Sequence, residues 1–339
     1  MLDQAFGLLI NEIALDIGTS YIRVYSKGRE VYIEEPAVVI AEHKKGKDSI
    51  LEYGHKALLM VGRTPQHQQA IFPLQGGIQH PKLAEELILL VIQKALGGKP
   101  LLKPRSVVGF SQYFAKEASH TLTGILQRTA GKDILQLNSL ICSAMGCSLP
   151  LDGSTALMVM NIGYNGTELG VVCHSNLYKS RYIQIGGKHI NTAISTHCKT
   201  KYQSVISAQH IEQIKQTLCN IQDLAPVQER TIPCKHISTG QPLELVIDSS
   251  DVRTALNPIL SSFVNQITEF FQELSPRIIT DLMENGIVLC GGGAQLTELD
   301  LFLQEKLNLP VILIDNPQQA TIRGAAQCLA QEPYAHWFI

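Results

Sequence analysis

The sequence predicts an α/β chain built of two like halves. Three observations carry that reading. Strand-like and helix-like apolar patterns alternate along the chain. A strand–turn–strand signature recurs 145 positions apart, at Ala14–Thr19 and Val159–Tyr164. Glycine-rich turns follow short apolar runs, as at Gly18 and Gly291–Gly293.

The elements follow in order. Ile13–Leu15 and Ile22–Tyr25 read as strands around a turn at Gly18–Ser20, and Ala37–Ala41 as another short strand. Leu83, Leu87, Leu90 and Val91 recur at helical spacing, and Gly97–Gly98 supplies a left-handed stop. Leu157–Ile162 and Leu169–Cys173 form a second strand pair. Leu256, Ile259, Leu260, Phe263, Ile267, Phe270 and Phe271 mark an amphipathic helix, closed by Pro276. Gly286–Cys290 is a strand running into the triple glycine, Leu299, Leu303 and Leu307 mark the helix after it, and Val311–Ile314 is the last strand.

Composition narrows the function. The 339 residues carry a formal charge of -2, and 17% are charged against roughly 25% in an average soluble domain. The apolar fraction is an ordinary 45%, so uncharged polar residues have replaced charge. There is no basic stripe of the kind nucleic acid demands, no run of 18 apolar residues for a spanning helix, and no long polar tract for disorder. Length alone points to two domains or one large one. The N-terminus has neither a basic stretch nor a cleavage site, so no secretion signal is expected. None of the eight cysteines forms a C-x-x-C pair, which argues against zinc. Cys173 and Cys290 end apolar runs and read as small buried hydrophobes in a reducing compartment.

Two loops carry the chemistry. In Asp16-Ile17-Gly18-Thr19-Ser20, Gly18 lets backbone approach a ligand, and N–H groups and hydroxyls can cradle phosphate oxygens. Asp16, at a strand end, is placed to hold magnesium through water. A plain β-hairpin with a polar turn would read the same. Gly291-Gly292-Gly293-Ala294 lets a flat base or sugar lie against backbone, with a helix N-terminus behind it for anionic groups; it is also a turn in its own right. Neither is a P-loop or a dinucleotide fingerprint, since the required spacings are missing.

With the internal echo, these loops make two phosphate-type hairpins and a glycine loop for a nucleoside. That constellation resembles the actin-like ATPase superfamily, and within it the MreB family of bacterial cell-shape proteins. The resemblance runs from Ile13 to Leu329. It is carried by Asp16–Thr19, Glu35-Pro36-Ala37-Val38-Val39, Gly62-Arg63-Thr64-Pro65 with Ile71-Phe72-Pro73-Leu74, Ile185-Gly186-Gly187, Glu212-Gln213-Ile214-Lys215 and Gly286–Ala294.

The resemblance implies a duplicated actin-like (ribonuclease-H-like) fold of four subdomains around a nucleotide cleft. It places domain I at 1–145, with a small inserted subdomain near 33–65. It places domain II at 146–339, with an insertion near 186–245 and the C-terminal helix packing back on domain I. It implies ATP with magnesium, filaments built by non-closing head-to-tail stacking, and a peripheral place at the inner face of the plasma membrane. The implied partners are cell-wall elongation membrane proteins, and the implied role is to organise peptidoglycan synthesis in rod-shaped cells. By carry-over, Gly18, Thr19, Ser20 and Tyr21 form the first phosphate loop, and Gly163, Tyr164, Asn165 and Gly166 the second. Glu212, Gln213, Ile214 and Lys215 lie beside ribose and adenine, and Gly291, Gly292, Gly293, Ala294 and Gln295 complete the nucleoside pocket.

Four departures bear on catalysis. The second phosphate loop of the family reads Asp-Ile-Gly-Gly-Gly-Thr-Thr; here Asn161 removes its carboxylate and Tyr164 puts a large side chain where backbone should approach phosphate. The glutamate that polarises the attacking water falls on Ser139. A ribose-side glutamate falls on Thr217, and Tyr21 replaces a small asparagine. A positioned general base contributes about 10²–10⁴ in rate, so slow hydrolysis is expected unless a neighbour such as Glu168 substitutes. A regulatory or structural paralogue that co-assembles with a conventional filament protein is the alternative. A sugar-kinase-like enzyme on the same fold would need a carboxylate base that positions 139 and 161 lack.

For membrane contact, Leu2, Ala5, Phe6, Leu9 and Ile10 fall on one face of a short N-terminal helix with no Lys or Arg, so apolar insertion would outweigh lipid charge. The same spacing would serve a helix packed on its own domain. Leu101-Leu102, between prolines and cations, suits a loop tip that dips into lipid. The tail Tyr334–Ile339, with the sole tryptophan Trp337, has no assigned role. Low charge also suits a chain that stacks on copies of itself, since like-charge repulsion is small.

Overall fold

The computed structural model describes residues 11–44, 47–113, 116–131, 133–219, 221 and 227–330. Leu2, Phe6, Leu9, Ile10 and the Trp337 tail lie outside them. The chain forms two compact units, 1–150 with 319–339, and 151–318.

Unit 1 opens with three strands, β1 (Glu12–Ile17), β2 (Tyr21–Ser26) and β3 (Val31–Pro36). A small subdomain follows: β4 (Val39–Lys44), β5 (Lys47–Tyr53), α1 (Gly54–Met60) and β6 (Gln68–Ile71). Its three strands pair in the order β5-β4-β6, and Val38, Ile40 and Ala57 form its own small core. Next come α2 (Pro81–Leu96), β7 (Arg105–Phe110), α3 (Lys116–Thr129), β8 (Ile134–Asn138) and α4 (Ser139–Gly146). The α2 helix stops where the glycines predicted: Gly97 is left-handed at φ 75° and its N–H returns to Gln93 and Lys94 carbonyls.

The main sheet of unit 1 has the order β3-β2-β1-β7-β8. The β1–β2 and β2–β3 pairs are antiparallel, while β1–β7 and β7–β8 are parallel. Strand alternation sends Ile13, Leu15, Ile22 and Val24 into a core with Leu87, Ile88, Val91, Leu122 and Ile125 of the α2 and α3 helices. Ala14 and Asp16 therefore face the other side of the sheet.

Unit 2 repeats the plan. It contains β9 (Leu157–Ile162), β10 (Thr167–Cys173), β11 (Asn176–Ile183), α5 (Gly187–Tyr202), β12 (Ser204–Val205), α6 (Ala208–Leu218), β13 (Glu229–His236) and β14 (Pro242–Asp248). There follow α7 (Ser249–Gln272), α8 (Pro276–Asn285), β15 (Ile287–Cys290), α9 (Leu299–Leu307) and β16 (Val311–Leu313). The main sheet reads β11-β10-β9-β15-β16, with a separate three-stranded sheet β12-β13-β14. In both main sheets the strand order is third, second, first, fourth, fifth, and the two echoed segments occupy the central strand. Duplication was the physical basis of the echo.

Met158, Met160, Leu169 and Val171 pack with Ile190, Ile194, Phe263, Ile267 and Phe270. The α7 helix is longer than its apolar stripe, beginning at Ser249 where the Asp248 carboxylate accepts from the Asp251 N–H, and it carries Pro258 inside. Pro276 does not merely close it; it is the first residue of α8, whose cap is the Ser275 hydroxyl. Cys290 is buried as expected, but Cys173 is only half-buried.

The last helix, α10 (Ala320–Ala330), belongs to unit 1 and packs on α4, where the Ser143 and Thr321 hydroxyls lie 2.9 Å apart. Among the described residues, no helix is long and apolar enough to cross a membrane.

Candidate functional site

In unit 1 the hairpin turn is closed by the Gly18 N–H donating to the Tyr21 carbonyl at 3.0 Å. A Cβ on Gly18 would meet that carbonyl oxygen at 2.8 Å, so the tight turn needs glycine. The Ser20 carbonyl accepts from the Ala37 N–H, which ties the turn to the segment after β3.

Two residues before the turn, Asp16 lies directly across from Arg23, and Arg23 across from Glu34. The Arg23 guanidinium donates to Asp16 Oδ2 at 3.1 Å and to Glu34 Oε2 at 2.7 Å. Its side chain is only 11% exposed. Burial pushes the Asp16 carboxyl up from its usual range, against the pull of Arg23. Burial also works against the Arg23 charge, but the two carboxylates outweigh it and hold its pKa above the ordinary value. The guanidinium also lies 5.5 Å from the centre of the Tyr21 ring. Arg23 has no counterpart in the motif reading. The signal was available: in a hairpin turning at 18–20, positions 16 and 23 are cross-strand partners.

In unit 2 the hairpin Gly163–Gly166 is closed by the Gly163 N–H donating to the Gly166 carbonyl at 2.9 Å. The loop leans on the start of α5: Gly187 N–H donates to the Gly163 carbonyl at 3.0 Å and Lys188 N–H to the Tyr164 carbonyl at 2.8 Å. Those first-turn donors are thereby used by the loop itself. The Tyr164 ring lies beside Gly187, whose missing Cβ would sit 3.5 Å from Tyr164 Cδ2 and 3.6 Å from Lys215 Nζ. Asn165 Oδ1 is buried and has no hydrogen-bond partner among the described residues.

The triple glycine lies against the same strand. Gly291 has φ 85° and a Cβ there would strike the Asn161 amide and the Ile162 backbone. Its N–H donates to the Pro317 carbonyl at 2.8 Å. The loop does not open a helix directly, as the sequence led one to expect. Gly292–Gln295 winds into a 3₁₀ turn, and α9 starts only at Leu299, after Glu298 in a left-handed conformation. Within the loop, Ala294 is buried in the core, while Gln295 reaches the Gln318 side chain at 3.1 Å.

On α6, helical periodicity divides the predicted quartet. Ile214 is fully buried in the core and is not available to a ligand, and Gln213 serves through its carbonyl, which accepts from Thr217. Glu212 Oε2 accepts from Lys215 Nζ at 2.7 Å and from Asn191 Nδ2 at 3.0 Å. Asn191 Oδ1 is a second buried acceptor without a partner among the described residues. Asn191, which the motif reading missed, thus joins Glu212 and Lys215. Thr217 accepts from Arg230 at 2.9 Å rather than facing the same cluster.

Of the two positions where the resemblance led to an expectation of catalytic carboxylates, Ser139 is the buried first residue of α4 and Asn161 the penultimate residue of β9. Asn138 caps α4 by accepting from the Leu140 N–H at 2.9 Å and donates to Gln112 at 3.2 Å. Glu168 lies directly opposite Asn161 across the β9–β10 ladder. No group of three or more His, Cys, Asp and Glu side chains converges on a common point among the described residues. Leu101 is 98% exposed and Leu102 41%.

The MreB/Mbl protein family model matches residues 10–335. The chain belongs to the MreB/Mbl family. It is 27% identical over 333 residues to the cell shape-determining protein MreB of Escherichia coli, covering 97% of this chain and 96% of that protein. It is 26% identical over 323 residues to the cell shape-determining protein Mbl of Bacillus subtilis, covering 95% and 96%. Among solved structures it resembles MreB5 of Spiroplasma citri bound to AMPPNP, with a TM-score of 0.87, 21% identity and coverage of 94% and 95%. It also resembles the MamK double helical filament, with a TM-score of 0.77, 16% identity and coverage of 95% and 100%. The duplicated actin-like fold is therefore that of the family.

Proposed function

We propose that this chain is an ATP-binding filament protein of the cell-shape machinery, acting at the inner face of the plasma membrane to organise peptidoglycan synthesis. One observation carries the nucleotide part. Unit 2 brings the Gly163–Gly166 hairpin and the Gly291–Gly293 loop onto one strand end, and Lys215 beside the Gly187 turn that the hairpin leans on. ATP fits this set. The Lys215 ammonium suits phosphate oxygens. Buried Asn165 and Asn191 acceptors, without partners among the described residues, suit ribose or base donors, and an amide rotation at Asn165 would offer a donor instead. Glu212 holds Lys215 and Asn191 in place.

Magnesium fits less well. Asp16 is already bonded to a buried guanidinium, and Asn161 carries no charge. Ser139 takes no proton near neutral pH, so the water-activating step lacks its base, leaving Glu168 as the nearest placed carboxylate to Asn161 by strand register. The reading is therefore nucleotide binding with very slow hydrolysis. Filament formation rests on the family membership and on the likeness to the MamK filament. Membrane contact rests on the exposed Leu101–Leu102 tip.

Phosphate release and negative-stain microscopy of the purified chain, with and without ATP, test this. Filaments with little phosphate release support it. Turnover comparable with ordinary family members overturns the slow-hydrolysis part. Filaments only when a conventional partner is added favour the co-assembling paralogue, which Ser139 and Asn161 would suit.

A further inference from the structure

Arg23 sits where no nucleotide motif asks for a charge. It is 11% exposed, it is on the strand after the phosphate turn, and it bonds the one carboxylate of that hairpin which could face a metal. A second carboxylate, Glu34, holds its Nε at 2.7 Å, so the guanidinium is fixed from both sides. Tyr32 donates to the same Glu34 oxygen at 2.7 Å, which adds a further anchor. A hydrated divalent cation using Asp16 would meet a fixed positive charge on that carboxylate. It would have to share the oxygen or displace the arginine from a buried pair, and displacement leaves a buried charge unpaired.

We propose that Arg23 serves as a built-in counter-ion at Asp16, so that this chain binds ATP with little dependence on magnesium. The inference rests on the nucleotide-binding reading above. Within its own hairpin Asp16 is already neutralised by Arg23, so it offers a divalent ion no free negative charge. Arg23 is a positioning residue: it acts through Asp16 and need not touch nucleotide.

Isothermal titration of the full chain with ATP, in excess magnesium and in EDTA, tests it. The expected ratio of the two affinities is within about threefold. A loss of tenfold or more in EDTA overturns the inference while leaving nucleotide binding intact. No ATP binding in either buffer overturns the nucleotide reading and this inference with it. Arg23→Met should raise the magnesium dependence to tenfold or more, whereas Arg23→Lys, which keeps the charge, should not. A folded Arg23→Met that stays insensitive overturns the role of Arg23. Should Arg23→Met fail to fold, Mn2+ binding to the wild-type chain followed by electron paramagnetic resonance decides. Mn2+ should bind the chain–ATP complex no more tightly than it binds free ATP, and tenfold tighter binding overturns the inference.

Discussion

Asn191 on α5 donates to Glu212 Oε2 on α6 at 3.0 Å, and Lys215 shares that oxygen at 2.7 Å. One carboxylate thus orients both an amide and an ammonium that is 15% exposed. Hydrogen bonds to charged groups contribute about 1.5–3 kcal/mol. Glu212→Ala should therefore weaken ATP binding by roughly 10–100-fold. Fluorescent-nucleotide titration checks this, and unchanged affinity would remove the cluster from the site.

Gly291 should tolerate no side chain. Its φ of 85° disfavours any L-residue, and an added methyl would strike Asn161 and the Ile162 backbone. Gly291→Ala is expected to cost about 2–4 kcal/mol. Urea unfolding measures it, and Gly292→Ala, which meets nothing within 4 Å, is the matched control.

Asp251 predicts an acid limit for unit 2. Its buried carboxylate accepts from Lys201, Tyr202 and His197. Burial alone would raise its pKa, but those hydrogen bonds prevail and hold it below the ordinary value. A depressed folded pKa means stability that is present above the unfolded pKa of about 3.9 and lost as pH falls through the folded one. The melting temperature should drop as pH falls below about 4. Asp251→Asn should lower stability at neutral pH by about 1–3 kcal/mol and flatten that acid dependence. An unaltered acid profile in the variant would show that other carboxylates dominate.

Leu101 and Leu102 should matter only at lipid. Exposed positions away from packed features change stability by about 0.5 kcal/mol or less, whereas each inserted leucine contributes about 1.5–3 kcal/mol at full burial. The double change Leu101→Ser with Leu102→Ser should leave melting unchanged and reduce liposome co-sedimentation. Filaments should show the larger loss, since many weak contacts then act together. Equal co-sedimentation of wild type and variant would exclude the loop as an anchor.

The proposed slow hydrolysis has its own rescue. Ser139→Glu combined with Asn161→Asp restores both family carboxylates. If missing carboxylates limit turnover, phosphate release should rise by about 10²-fold or more. No increase, in a variant that still binds ATP, would place the limit elsewhere.

Much of the architecture could be read along the chain because its signals are local. Short apolar runs marked β1, β2, β9 and β10, and Gly97 marked the end of α2. The repeated Ile-Gly turn exposed the duplication, because each unit's central strand must end in the same tight hairpin. Less legible were the strands β12–β14 and the boundaries of α7. Polar faces and a cap at Asp248, rather than apolar spacing, set those. The nucleoside quartet shows the limit within one helix. Its motif spans four consecutive residues, but 3.6-residue periodicity commits Ile214 to the core.

By itself, then, the sequence determined the family, the duplicated α/β plan and the uncharged residues at 139 and 161. These are properties of residue type and spacing. Only the tertiary structure decided which distant polar groups meet: Arg23 with Glu34, Asn191 with Glu212, Lys201 with Asp251. It also put the Tyr164 ring beside the start of α5 and wound Gly292–Gln295 into a 3₁₀ turn ahead of α9. The physical reason is that such pairings depend on strand register and helix packing across distant positions, where a change of one residue reverses the face a side chain occupies.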